Sequence, residues 1–187
     1  MNLTDKYVFR PYNNDYPELF TKEKARLQSK LGTGPRIEHI GSTAVPGLGG
    51  KGVIDILLIA PKTDWQSTSS KLTSLGYEYK KKDAEREEEK LFFMTHLPDR
   101  ELGDRIYHVH LTYPQSSEVR NSVGFRDFLR SNPDKLKEYE EIKKSAAKAA
   151  QNLTTKDEMR DTYGKIKQDF IEKIILLFPG DSVNNQK

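Results

Sequence analysis

The sequence predicts an α+β fold, with a mixed or mainly antiparallel sheet flanked by helices and a run of helices closing the chain. Three observations carry this. Val53 to Ile59 is a nearly continuous apolar run interrupted by Asp55, the mark of a strand covered on both faces. Ile106 to Tyr113 alternates, so that Tyr107, Val109 and Leu111 face one way and His108, His110 and Thr112 the other. From Ser117 onward helical patterns succeed one another, and strands followed by helices indicate α+β.

The remaining elements follow from local signals. Asp15 with Pro17 in the first turn predicts a helix to about Leu31, with Leu19, Phe20, Leu27 and Leu31 as its apolar positions. Arg36 to Ile40 reads as a short strand, and Gly41 to Gly52 as a loop. Asp64 to Leu75 reads as a helix ended by Gly76 in a left-handed conformation. Tyr77 to Lys81 and Lys90 to Thr95 read as strands joined by a solvated turn over the charged run Lys82 to Glu89. Helices are expected over about Ser117 to Leu129 and Pro133 to Ala150. A third follows Thr155, where Thr155 and Glu158 fit a capping box. That helix carries Tyr163, Ile166, Phe170, Ile174 and Leu177 at helical spacing. Residues 1–178 are expected to form a single domain, and 179–187 a disordered tail after Pro179-Gly180.

With 187 residues the chain has the length of one ordinary domain. A domain of this size buries roughly 70% of its unfolded surface. It therefore needs no disulfide or structural metal. There are no cysteines, which excludes thiolate zinc sites and thiol catalysis. No apolar run approaches the ~20 residues of a membrane span, and Met1 to Lys6 lacks the apolar core of a signal peptide. A cytoplasmic protein that does not engage membranes is expected. The net charge is +3, with acids and bases mixed almost throughout. That pattern disfavours a dedicated nucleic-acid face and suits a phosphorylated small molecule.

The loop from Gly41 to Gly52 holds five of the twelve glycines. Such a loop lets the backbone turn sharply and aim N–H groups into one concavity, where an anion is the natural guest. Ser42 and Thr43 add hydroxyls, and Lys51 a full charge. A tight structural turn between two strands accounts for the same residues. The loop is not a P-loop, because Gly52 follows Lys51 and Val45 stands where the first glycine would be needed.

Asp55 is the sharper anomaly. An unpaired carboxylate taken out of water costs several kcal/mol. Asp55 must therefore meet a cation, a metal or converging N–H groups, or else tie down the loop from a strand end. His108 and His110 leave the same face of their strand, where they could ligate a metal, accept a proton or simply face solvent. His39, just before the loop, shares a face with Ile37. His96, near Pro98, reads as part of a turn. Arg126 and Arg130 lie four apart on one helix face, placed to close on a phosphate or to pair with nearby acids such as Asp127 and Asp134.

Glu38-His39-Ile40-Gly41-Ser42-Thr43-Ala44-Val45-Pro46-Gly47-Leu48, with Lys51 and Ile54-Asp55-Ile56, resembles the signature of the GrpB family. Tyr107 to Leu111, Phe125 to Arg130 and Pro11-Tyr12 resemble it too, and the resemblance runs over about residues 7 to 175. It implies a nucleotidyltransferase-like fold. In that superfamily a hydrophobic-Gly-[Gly/Ser] motif precedes, by about a dozen residues, an Asp-hydrophobic-[Asp/Glu] motif. Gly41-Ser42 and Asp55 match with twelve residues between Ser42 and Asp55, but the second acid falls on Leu57. The resemblance implies that Gly41 and Ser42 hold phosphate, and the reading of the residues adds Thr43, Lys51, Arg126 and Arg130 as phosphate-binding candidates. It also implies a divalent metal, Mg²⁺ or Mn²⁺, at Asp55, with His108 and His110 where a later-strand acid would stand. Asp55 and His110 are the expected catalytic residues, and a nucleoside triphosphate the expected substrate.

Three functions remain open on the sequence. One is a nucleotidyltransferase acting on a small molecule. Another is a nucleotide- or ligand-binding module with a degenerate site, which Leu57 favours. The third is a metal-dependent phosphohydrolase using Asp55 and the histidines.

Overall fold

The structure, a computed structural model, describes residues 7–81, 84–98 and 105–178. Its helices are α1 (Tyr16–Leu31), α2 (Trp65–Ser74), α3 (Ala84–Glu89), α4 (Ser117–Ser131), α5 (Pro133–Gln151) and α6 (Lys156–Ile175). Its strands are β1 (Arg36–Ile40), β2 (Ile54–Ile59), β3 (Glu78–Tyr79), β4 (Lys90–Leu97) and β5 (Arg105–Thr112). One mixed sheet has the order β1-β2-β5-β4-β3. Only β2 and β5 run parallel; the other pairs are antiparallel. A parallel pair needs a long crossover, and here α2, β3, α3 and β4 all lie between the two strands.

β2 is central and covered on both faces, as its composition requires. On one face Ile54, Ile56 and Leu58 join Leu19 and Leu27 of α1 and Leu72 of α2 in the main core. Each such leucine, fully buried, contributes about 1.5–3 kcal/mol. On the other face Leu57 and Ile59 pack with Ile40 against Val119 and Val123 of α4. Asp55 belongs to that second face, so one helix shields the sheet there but leaves the end near the glycine loop open. Past that end, Val45 and Leu48 of the loop pack against Leu129, Tyr139, Phe170 and Ile174, which fixes α4, α5 and α6 around it.

The local signals held where chemistry dictates them. Pro occupies the first turn of α1, Gly76 has φ +85°, and the Thr155 hydroxyl accepts from the Glu158 N–H at 3.3 Å and donates to its carboxylate at 2.7 Å. The charged run is a departure: Ala84 to Glu89 is helical rather than a turn, consistent with the helix propensity of a glutamate-rich segment. The Tyr79 hydroxyl donates to Glu87 at 2.5 Å. Lys82 and Asp83 lie outside the described residues, as do 179–187, where the tail was expected. β4 extends through His96, which is therefore a strand residue and not part of a turn. On α6 Tyr163, Phe170 and Ile174 are buried, but Ile166 is 39% exposed and Leu177, just past the helix, 65%. No helix among the described residues is long and apolar enough to cross a membrane.

Candidate functional site

The register of β5 against β2 makes the site. Asp55 pairs with His108, and Leu57 with His110. Directly paired residues in a sheet point the same way, so one carboxylate and two imidazoles emerge together. His108 Nδ1 lies 3.1 Å from Asp55 Oδ1, and His110 Nε2 lies 3.7 Å from the same oxygen. These are not solvent-facing histidines, for each side chain is only 20% exposed. Phe92, their neighbour on β4, sets its ring edge-on to His108 at 4.9 Å and tilted against His110 at 5.2 Å. Burial by itself would raise the Asp55 carboxyl. Hydrogen bonds from His108 and then His110, with their charge, overturn that and hold it far below its ordinary value. Asp55 is thus a carboxylate at any physiological pH.

Gly41 sits against this carboxylate. It has φ +72°, and a Cβ there would stand 2.5 Å from Asp55 Oδ2. Both facts demand glycine. The loop that follows begins with a 3₁₀ turn, Ser42–Ala44. Many of its amides are spent internally: Ala44 donates to Gly41, Val45 to Ser42, Leu48 to Val45 and Gly50 to Arg10. The Gly49 N–H donates to Glu140 of α5 at 3.2 Å. The amides of Ala44, Val45, Leu48, Gly49 and Gly50 are thus spent on holding the loop in place.

A cleft of about 310 Å³ opens between this loop, Asp55 and the helices α4 to α6. Ser42, Lys51, Arg126 and His110 line it, together with residues that sequence reasoning missed: Glu118, Lys143 and Lys167. Lys143, on α5, is 4% exposed. A Cβ on Gly50 would lie 2.5 Å from its Nζ and 2.7 Å from Ser42 Oγ, so ammonium and hydroxyl converge over Gly50. Burial, reinforced by repulsion from Lys167, lowers Lys143 to about 7 despite the attraction of Asp55. Burial, then repulsion from Lys51, lowers Lys167 to about 8. Lys51 Nζ rests over the rings of Tyr7 and Tyr163 at 5.2 and 5.1 Å. Glu118, in the first turn of α4, pairs with Lys90 at 2.6 Å.

The other predicted residues brace the loop. The buried Thr43 hydroxyl donates to the Val53 carbonyl at 3.1 Å and meets His39 Nε2 at 3.0 Å, so it is engaged away from the cleft. His39 stacks on Phe20 at 4.5 Å, on the sheet face opposite Asp55, and burial lowers its pKa to about 4. It is a neutral spacer behind the loop. Arg130 gives two hydrogen bonds to the Ala44 carbonyl, at 2.9 and 2.6 Å. Arg126 grips Asp127 through Nε and Nη2 and reaches Glu38 and the His39 carbonyl through Nη1. Arg126 thus has acid partners of the kind the sequence left as the alternative to phosphate, whereas Arg130 spends its donors mainly on a backbone carbonyl and reaches Asp127 at 3.5 Å.

The model of the family described as GrpB protein matches residues 7–176. The chain belongs to the GrpB family. The UPF0157 protein PA4798 of Pseudomonas aeruginosa is 34% identical over 146 residues, which is 77% of this chain and 58% of that protein. The chain thus spans little more than half of that relative's length. The glutamate-rich protein GrpB of Alkalihalophilus pseudofirmus is 29% identical over 88% of this chain and 91% of its own. Among solved structures, the conserved protein GrpB of Enterococcus faecalis superposes with a TM-score of 0.67 at 26% identity, covering 89% of this chain and 98% of that one. A mutant of the Cid1 poly(U) polymerase bound to MgATP superposes with a TM-score of 0.50 at 11% identity, over 77% of this chain and 46% of the polymerase. At that identity the likeness shows the fold alone: this chain has a nucleotidyltransferase-like α+β fold.

The two missed lysines did leave a signal. On α5 Tyr139, Lys143, Ala146, Ala147 and Ala150 form one buried stripe. On α6 Lys167 falls between Tyr163 and Phe170 at the same spacing. A lysine at a stripe position is a cation turned inward. Glu118, among several surface acids near a helix start, left none.

Proposed function

We propose that this GrpB-family chain binds a nucleoside triphosphate in the main cleft and transfers its nucleotidyl group to an acceptor, with a divalent cation held by Asp55, His108 and His110. The observation that carries this reading is that Asp55 and His110, with His108 grouped beside them, line one cleft with Ser42, Lys51, Lys143 and Lys167. The donor set fits a cation. Ligand atoms bound at about 2.1 Å stand ~3.0–3.4 Å apart in octahedral or tetrahedral geometry; the 3.1 Å from Asp55 Oδ1 to His108 falls in that range, and His110, at 3.7 Å, would have to draw in by a few tenths of an ångström. Two imidazoles with one carboxylate favour Mn²⁺, Zn²⁺ or iron over Mg²⁺. A cation there would neutralise charge on the phosphates and ease deprotonation of an acceptor hydroxyl.

The chain's own residues supply the rest. Ser42 and the lysines hold phosphate oxygens in a cleft walled by low-dielectric aromatic rings, where their charge counts for more than in water. Gly41 lets the Asp55 carboxylate come against the loop. Arg126, Arg130, Thr43 and His39 keep the loop in shape from behind.

A second reading, a nucleotide-binding module without chemistry, draws on Leu57. That side chain is fully buried among Ile40, Ile59, Val119 and Val123, so the superfamily's second acid has no place to stand. Melting curves with ATP and Mn²⁺ test both readings, because a ligand of the native state raises Tm by mass action. Labelled product from α-labelled ATP and a metabolite extract selects the transferase. Binding without product selects the module, and absence of any shift at millimolar nucleotide refutes both.

A further inference from the structure

Lys143 is the one lysine buried among the described residues. It lines the main cleft from α5, and its Nζ converges with Ser42 Oγ over Gly50. No carboxylate among the described residues is paired with it. Glu140, one turn earlier, takes the Gly49 N–H and Lys144, and Asp55 takes the two histidines. After burial, the largest influence on its charge is a second lysine of the same cleft, Lys167 of α6.

Burying an ammonium without a counter-ion costs several kcal/mol. Holding phosphate asks only for charge, which a lysine at the surface supplies without that cost. Burial without an acid strips the proton and leaves an amine. An apolar pocket and a neighbouring cation are the two conditions that make a lysine a nucleophile. Lys143 meets both: its Nζ stands 5.7 Å from the centre of the Tyr139 ring, and Lys167 shares its cleft.

We infer that Lys143 forms an imine with the carbonyl carbon of a small aldehyde that carries a phosphate, the phosphate being met by Lys167. This goes beyond nucleotide transfer and does not require it, although the two ligands would share the cleft. The volume, about 310 Å³, is at the small end for ligand sites and suits a metabolite. Lys143 is lowered to about 7, so about half of it is neutral at pH 7, against roughly one part in 2500 for an ordinary lysine.

The step balances without a further reactant. The neutral Nζ bonds to the carbonyl carbon, and a proton moves from nitrogen to the former carbonyl oxygen. Ser42 Oγ, beside the Nζ, is placed to pass that proton. The carbon–oxygen bond then breaks, water leaves, and the carbon–nitrogen double bond remains.

The test uses the full chain with glyceraldehyde 3-phosphate, at less than one equivalent, and cyanoborohydride, which reduces an imine to a stable amine. Glyceraldehyde is run beside it, and the label is placed by peptide mass spectrometry. Lys143 should carry at least tenfold more label than any other amine of the chain. The phosphorylated aldehyde should react there at least tenfold faster than glyceraldehyde. Lys143→Arg should remove the fast reaction, and Lys167→Met should erase most of the preference for phosphate, both variants being checked for folding by circular dichroism. Label spread over surface lysines with none preferred at Lys143 overturns the inference, as does equal reaction of the two aldehydes or a preference that Lys167→Met leaves intact. The mapping on the unaltered chain decides the matter even if a variant fails to fold. ATP with Mn²⁺ should slow the labelling, because both ligands claim one cleft. Labelling of Lys143 that ATP does not slow supports the imine and counts against the nucleotide reading. A rise in Tm with ATP and no label at Lys143 does the reverse.

Discussion

Gly41 and Asp55 are in contact across the mouth of the site: a methyl group on Gly41 would stand 2.5 Å from Asp55 Oδ2. The hinge of the loop and the one carboxylate of the triad are therefore a single steric unit. The glycine-serine motif and the aspartate, with twelve residues between Ser42 and Asp55, depend on each other for space before they serve any ligand.

Gly41→Ala is expected to be costly on two counts. Its φ of +72° is unfavourable for any residue with a Cβ, and the methyl must push Asp55 aside. We expect a loss of about 2 kcal/mol or more, read as a fall in Tm of roughly 4–8 °C for a chain of this size. Metal and nucleotide affinity should fall with it. A variant that melts like the wild type would show that the loop yields easily at this point.

Asp55→Asn keeps the shape and removes the charge. The triad then offers two imidazoles and a neutral oxygen, a much weaker set for a divalent cation. Titration with Mn²⁺ or Zn²⁺ by calorimetry should show at least a tenfold loss of affinity, and any transfer activity should vanish. Unchanged metal uptake would place the cation elsewhere.

The fold was largely legible because its boundaries are set by local chemistry. Pro17, Gly76 and the pair Thr155–Glu158 each act within one turn of the backbone, and β2 announces itself by being apolar on both faces. The site was only half legible. Asp55 stood out as a charge inside an apolar strand, yet its partners lie 53 and 55 positions away, and only the parallel register of β5 brings them in. Thr43, Arg126 and Arg130 look like phosphate ligands in a sequence. In space their donors are taken by Val53, Asp127, Glu38 and two backbone carbonyls. Lys143 and Lys167 also line the cleft, marked only by standing on apolar stripes.

Lys143 and Lys167 predict a pH dependence with a definite sign. Their folded values are about 7 and about 8, and only the protonated forms attract anions. Affinity for a triphosphate, whose own charge is nearly complete above neutrality, should therefore fall as pH rises from 6.5 to 9. Stability runs the other way. The unfolded chain keeps these lysines protonated up to about 10.4, so it binds more protons than the folded chain between each folded value and that limit. Folding stability contributed by these groups is thus lowest below pH 7 and climbs as pH rises. Lys143→Met should raise stability at pH 6, by on the order of 2 kcal/mol, and flatten the pH dependence of nucleotide affinity. A Lys143→Met protein with the wild-type profile in both measurements would remove this lysine from the site.

Leu57→Asp asks whether the superfamily's second acid can be restored. Leu57 is fully buried among Ile40, Ile59, Val119 and Val123, which offer a carboxylate no donor, and of its neighbours across the sheet only His110 could meet one. An unpaired charge in that packing should cost about 3–5 kcal/mol, enough to unfold a chain of ordinary stability. Chemical denaturation should show the loss directly. A stable variant with raised Mg²⁺ affinity would mean that α4 moves aside, and that this chain's departure at this position is shallow.

Gly50→Ala separates structure from function most cleanly. No positive φ is required at Gly50, so the backbone tolerates alanine. The new methyl would instead collide with Lys143 Nζ at 2.5 Å and Ser42 Oγ at 2.7 Å, both ends of side chains that can swing away. Folding should therefore lose little, within about 1 kcal/mol, while the hydroxyl and the ammonium are driven apart at the place where they converge. If that convergence holds phosphate, nucleotide affinity should drop at least tenfold in a protein whose melting temperature moves by only about 2–4 °C. If affinity survives the methyl, the two groups do not share a ligand, and the anion must be held from the Lys51 and Lys167 side of the cleft.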